Sequence, residues 1–120
     1  MAAKDELGRA GEARAVTYLG GLGFEILARN WRCAQGEIDI VARRPGELAV
    51  VEVKTRRSAA FGHPFEAIDA RKRARLWRLA FSWIAEHRDL AHGRGLRLHA
   101  IGLIGPDPHT AVLEHLEDLR

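Results

Sequence analysis

Asp39, Glu52 and Lys54 are the residues of this sequence whose types and spacing could do chemistry. They lie in GEIDIVARRPGELAVVEVKTRR, residues 36–57, where two stretches alternate as strands do. Strand side chains alternate between faces, so Glu37, Asp39 and Val41 share one side of the first stretch. Leu48, Val50, Glu52 and Lys54 share one side of the second. A turn at Pro45-Gly46 that pairs Arg43 with Leu48 sets Asp39 directly opposite Glu52, on one face, with Lys54 next along. A slip of one residue would send the two carboxylates to opposite faces.

Like charges opposed on a sheet repel, and burial makes the repulsion worse. Ala49, Val51 and Val53 make the other face of the second stretch wholly apolar, so this strand is expected to be covered on at least one side. A divalent cation would satisfy the pair. Mg²⁺ takes one or two carboxylates and leaves waters and phosphate oxygens as its other ligands. Lys54 would then hold a phosphate or orient and activate an attacking water. The plainer reading is a solvated Glu-x-Lys pair on an exposed strand, a pattern that recurs by chance.

These residues need a frame. Residues from about Lys4 to Gly20 read as a helix whose apolar stripe, Ala15, Val16, Leu19 and Leu22, runs back through Glu12 and Gly8. Glu12 therefore points toward whatever this helix packs on. Phe24 to Arg32 reads as a strand ahead of the hairpin. Asp69 is an N-cap for a second helix to about His87, with Leu76, Leu79, Ala80, Trp83 and Ile84 on its apolar side. A loop, DLAHGRG, precedes two more strands, LRLHAIGLI and TAVLEHL, joined by a Gly-Pro-Asp-Pro turn. The order is α-β-β-β-α-β-β: an α/β fold with a central mixed sheet flanked by helices.

Length and composition agree with that frame. At 120 residues the chain is expected to form one domain, and its 47% apolar content supports a core. A net charge of +3 permits a nucleic-acid partner without demanding one, so the placement of charge matters more than its sum. The single cysteine, Cys33, cannot pair within the chain, which fits a reducing cytoplasm, and it reads as a small buried hydrophobe. The acid-bearing N-terminus is neither signal peptide nor membrane anchor, and no apolar run reaches bilayer length.

The second helix carries Arg71, Arg75 and Arg78 on one stripe, and Arg56 and Arg57 follow the Glu-x-Lys directly. No acid interrupts the helical run until Glu86, so the arginines are candidates for phosphate contact, against the plain reading of a solvated face. Trp77, Phe81 and Trp83 read as core or dimer contacts. No histidines fall at a metal-ligand spacing, and His63 reads as a structural loop residue. Gly20-Gly21-Leu22-Gly23 precedes a strand, which excludes a P-loop, and Gly-x-Ser-x-Gly is absent.

GRAGEARAVTYL, GFEILARNWR, GEIDIV, VVEVKTR and FGHPFEAI, taken in order, resemble the YraN family of small bacterial proteins, over about Gly8 to Trp83. That family is assigned to the PD-(D/E)XK nuclease superfamily, so the resemblance implies a restriction-endonuclease-like core similar to Holliday-junction resolvases. It implies that Asp39 and Glu52 bind Mg²⁺ (or Mn²⁺), that Val53 lends its backbone carbonyl to the metal, that Lys54 is the catalytic lysine, and that Glu12 joins the site. Ile38 stands where the superfamily name has proline. Glu37, one strand step farther from Glu52, is a candidate for an outer-shell water or a second cation. The expectation is a Mg²⁺-dependent endonuclease acting on DNA, on branched or structured substrates, as a homodimer by resemblance to resolvases. The alternatives are a nucleic-acid-binding module with an unused site, and an interaction protein that uses the apolar side of the second helix.

Overall fold

A computed structural model describes residues 6–119. Helix α1 (Glu6–Gly21) leads into strands β1 (Glu25–Cys33), β2 (Gly36–Arg44) and β3 (Glu47–Arg56). A short 3-10 turn (Pro64–Ala67) precedes helix α2 (Ala70–Glu86), a one-turn helix α3 (Arg88–Ala91) and strands β4 (Gly95–Ile104) and β5 (Val112–Leu116). The five strands form one sheet in sequence order. All neighbours are antiparallel except β3 and β4, which run parallel because α2 carries the chain back between them. The α-β-β-β-α-β-β order read from the sequence is therefore the observed order, with α3 added inside the expected loop. Lys4, where the first helix was expected to begin, lies outside the described residues. The last strand starts two residues late, because Thr110 and Ala111 bond back to the Asp107 carbonyl.

Helices cover the sheet on both faces, and β3 shows how. Leu48 and Val50 pack with Leu76, Leu79, Ala80 and Trp83 of α2. Ala49, Val51 and Val53 pack with Ala15 and Leu19 of α1. A strand buried on both sides must be apolar nearly throughout, which is why a charge at Glu52 stands out. Truncating Trp83, only 1% exposed, to alanine should cost about 3–5 kcal/mol. Phe81, by contrast, is exposed and stacks on Trp77, so of the core and dimer contacts expected for these aromatics the core reading holds for Trp83 and not for Phe81. Leu22 is also exposed, because α1 has already ended.

Two glycines are required by geometry. Pro45 and Gly46 form the whole link between β2 and β3, and Gly46 has φ 78°, which a side chain would resist. A Cβ on Gly11 would lie 2.6 Å from Thr55 Oγ1 and 3.2 Å from Leu103 Cδ1, so α1 lies too close to the sheet there for a side chain unless its neighbours shift.

At the end of the sheet near the start of β3, a chain of buried and half-buried polar groups ties the layers together. His99 Nε2 lies 2.6 Å from Glu47 Oε2, His99 Nδ1 lies 2.9 Å from His115 Nε2, and His115 Nδ1 lies 3.0 Å from the Tyr18 hydroxyl. With Glu47 ionised and both rings neutral, the protons have one consistent arrangement. Tyr18 donates to His115, His115 to His99, and His99 to Glu47. Burial holds both histidines below their ordinary pKa, assisted at His115 by the adjacent His99. Burial pushes Glu47 up, but the hydrogen bonds from His99 and Arg44 outweigh it and its pKa is lowered.

Candidate functional site

The β2–β3 register puts the acids where the turn predicted. Arg43 pairs with Leu48, and the ladder continues in step to Ile40 opposite Val51. The next step brings Asp39 to Glu52, and there the paired ladder ends. In its place the Val53 N–H donates to Asp39 Oδ2 at 2.9 Å. The Asp39 side chain thus takes the bond a strand partner would have made, and its carboxylate is held against β3 beside Glu52.

Both carboxylates are buried, Asp39 at 7% and Glu52 at 4% exposure, so water cannot screen their repulsion. Burial raises the Glu52 pKa, and the Asp39 charge raises it further. Two ammonium groups oppose this. Lys54 Nζ lies 3.5 Å and Lys72 Nζ 3.3 Å from the same oxygen, Glu52 Oε1. They lower the pKa without reversing the net direction. Asp39, Glu52 and Lys54 are therefore brought together, on the α2 side of the sheet.

Lys72 is the member that sequence reasoning missed. Its signal was present: Lys72, Leu76, Leu79 and Trp83 follow one another at helical spacing, and the last three are fully buried. A lysine in line with a core stripe points at the sheet, yet here it sits inside a run of basic residues that reads as an outward face, for phosphate contact or for solvent.

The other expected residues fall in different places. Glu12 is buried at 2% exposure on α1, next to the close approach at Gly11, as its stripe predicted. Among the described residues, however, no three His, Cys, Asp or Glu side chains gather as a metal-holding group, so Glu12 is not brought into one with Asp39 and Glu52. Glu37 is engaged by Arg32 across the β1–β2 pair at 2.9 Å. Val53 meets Asp39 through its N–H. Arg57, Arg71, Arg75 and Arg78 are exposed, and Arg56 is half-buried with Nη1 3.2 Å from the Thr55 carbonyl. His63 is structural: its Nδ1 accepts from Phe65 N at 3.0 Å and its Nε2 bonds Glu114. Cys33 is half-buried and directs its thiol to Gln35, so it is less enclosed than expected. Phe61, in the loop after Arg57, is 98% exposed.

The donor set suits a hard cation. Two carboxylates offer oxygen ligands only, and magnesium needs no more than one or two from the protein. The buried repulsion at Glu52 is the kind of cost that such an ion would relieve. No helix among the described residues is long and apolar enough to cross a membrane.

Relatives of the chain are numerous in bacteria. A protein of Paenarthrobacter aurescens (strain TC1) is 51% identical over 116 residues, covering 97% of this chain and 94% of the relative. One from Beutenbergia cavernae is 48% identical, covering 97% of each. One from Streptomyces coelicolor is 47% identical over 96% of this chain and 88% of its own. All three are named UPF0102 proteins. The profile described as "Uncharacterised protein family UPF0102" matches residues 11–103, a span that holds Glu12, Asp39, Glu52, Lys54 and Lys72. The motifs that resemble the YraN family and the whole-length relatives agree: the chain belongs to the UPF0102 (YraN) family.

Proposed function

We propose that this protein is a magnesium-dependent endonuclease of the PD-(D/E)XK type that hydrolyses phosphodiester bonds in DNA. The observation that carries the reading is the buried pairing of Asp39 with Glu52 and the raised pKa that results. A structural role alone would favour apolar residues at these positions.

Within this reading Asp39 and Glu52 hold the ion, with Asp39 kept in orientation by the Val53 N–H. When bound, magnesium supplies Lewis-acid activation of a water and offsets charge growing on the phosphate. Lys54, 28% exposed, reaches from the carboxylates to solvent and contacts a phosphate oxygen or the attacking water. The reaction needs no covalent intermediate on the protein. Arg71, Arg75 and Arg78, exposed on the helix that brings Lys72 to Glu52, contact backbone phosphates on either side. Branched or otherwise structured DNA, and a homodimer matched to two-fold symmetric junctions, belong to the same proposal.

One observation favours a second reading, a nucleic-acid-binding module with an unused site. Two lysines already rest on Glu52 Oε1, so the acids are partly neutralised by the protein itself. Junction, flap, single-stranded and duplex DNA incubated with Mg²⁺ or Mn²⁺ separate the two. The nuclease cuts at least one of them, and Asp39→Ala, Glu52→Ala and Lys54→Ala each abolish cutting. A module binds DNA in a salt-sensitive way, cuts none, and is indifferent to those three changes.

A further inference from the structure

We infer that Lys72 makes metal binding at Asp39 and Glu52 dependent on a bound phosphodiester, so that the ion and the nucleic acid bind cooperatively. The inference rests on the nuclease reading and adds a residue and a binding order to it.

Lys72 is rooted where it cannot drift. Its backbone N–H donates to Asp69 Oδ1, the N-cap of α2, at 2.8 Å. One and two turns later Leu76 and Leu79 are clamped in the core. From that anchor its ammonium reaches Glu52 Oε1, at 3.3 Å, slightly nearer than Lys54 at 3.5 Å. An ammonium and a divalent cation attracted by the same carboxylate oxygen repel one another, so they compete for it.

The local charge sets the direction of the effect. With both carboxylates ionised, Asp39 and Glu52 carry two negative charges against the two positive charges of Lys54 and Lys72, so these four groups sum to zero before any ion arrives. A divalent ion on its own would leave that small buried group with two excess positive charges. A phosphodiester lowers the excess and gives a displaced ammonium a new partner. Both lysine side chains are just over a quarter exposed, so either can turn outward to a phosphate without leaving the site. By linkage, whatever tightens the ion in the presence of DNA must tighten DNA equally in the presence of the ion.

The test is direct Mn²⁺ titration of the full chain, reading free Mn²⁺ by electron paramagnetic resonance, with and without a short DNA duplex of phosphorothioate linkages. Wild type, Lys72→Met and Lys72→Arg are compared, with melting temperatures to verify folding. DNA should tighten Mn²⁺ on the wild type by at least about 5-fold, the low end of measured couplings. Lys72→Met should bind Mn²⁺ tighter than wild type without DNA and gain less when DNA is added, whereas Lys72→Arg should follow the wild type. Equal Mn²⁺ affinity of wild type and Lys72→Met in both states overturns this inference and leaves the nuclease reading standing. A wild type that binds no Mn²⁺ in either state overturns both.

Discussion

The Val53 N–H donates to Asp39 Oδ2 at 2.9 Å, at the step where the β2–β3 ladder gives up its backbone pairing. An acidic side chain has replaced a strand bond, which fixes one carboxylate against the strand that carries the other. The arrangement is sterically economical and electrostatically costly. Both that cost and the groups that offset it can be measured.

Asp39→Asn keeps an oxygen acceptor for the Val53 N–H while removing the charge beside Glu52. The fold should persist, as judged by circular dichroism, because no cavity is made. Metal-dependent cleavage should fall by at least about 100-fold, since loss of a direct ligand should cost no less than loss of a supporting one. Cleavage within a few-fold of wild type would remove Asp39 from the chemistry.

Glu52→Gln should stabilise the protein at neutral pH. The folded pKa of Glu52 is raised, so the folded state takes up a proton more readily than the unfolded chain. Glu52 therefore favours folding most below its ordinary value of 4.5, and that contribution is lost as pH rises through the raised value. Glutamine mimics the protonated group. Its melting temperature should exceed that of wild type at neutral pH, and the gap should close toward pH 4.5. A variant less stable than wild type at neutral pH would mean that the two lysines more than offset the burial cost.

The Glu47–His99–His115–Tyr18 chain predicts the opposite slope in a different window. Both histidines have lowered folded pKa values, so the unfolded chain binds protons first as pH falls below the ordinary 6.5. Stability present above pH 6.5 is lost as pH drops through the lowered values, and Glu47 adds a loss of the same sign below 4.5. Arg44 and Glu117 also act on these rings, the first lowering and the second raising their pKa values. Thermal unfolding in the Glu52→Gln background isolates the effect, and adding His115→Phe should flatten it. An unchanged slope after that substitution would show that the chain does not govern it.

How much of this was legible in the sequence depends on the range of the cause. The hairpin register was legible because Pro45-Gly46 is a local device, and the Asp69 cap because it acts within four residues. Glu12 was placed inward by helical spacing alone. Lys72 was hidden because its neighbours are basic, so the burial of its stripe could not be told from the solvation of its run. The polar chain was illegible for another reason. Tyr18, Glu47, His99 and His115 lie on four separate elements, and only the pairing of β3 with β4 and β4 with β5, beneath α1, brings them into line.

Close packing of α1 is testable at one atom. Gly11→Val would place carbon 2.6 Å from Thr55 Oγ1, so either α1 lifts or Thr55 moves. Urea unfolding should show a loss of about 1–3 kcal/mol. Thr55→Ala should restore part of that in the double variant, a coupling absent from sites that do not touch. Strict additivity would contradict the close approach.

Arg75→Ala with Arg78→Ala should weaken DNA binding at every sequence tested. On the proposed nuclease reading each arginine neutralises one backbone phosphate, so the slope of log affinity against log salt should drop by about 2. An unaltered slope would place the nucleic acid on another surface.

The central claim is a divalent ion shared by Asp39 and Glu52, and anomalous scattering from Mn²⁺-soaked crystals grown with a short phosphorothioate DNA duplex tests it most directly. The account predicts one peak within about 2.0–2.3 Å of an oxygen from each carboxylate, with the Lys72 ammonium moved off Glu52. Carboxylates still capped by both lysines, with no peak between them, would contradict it.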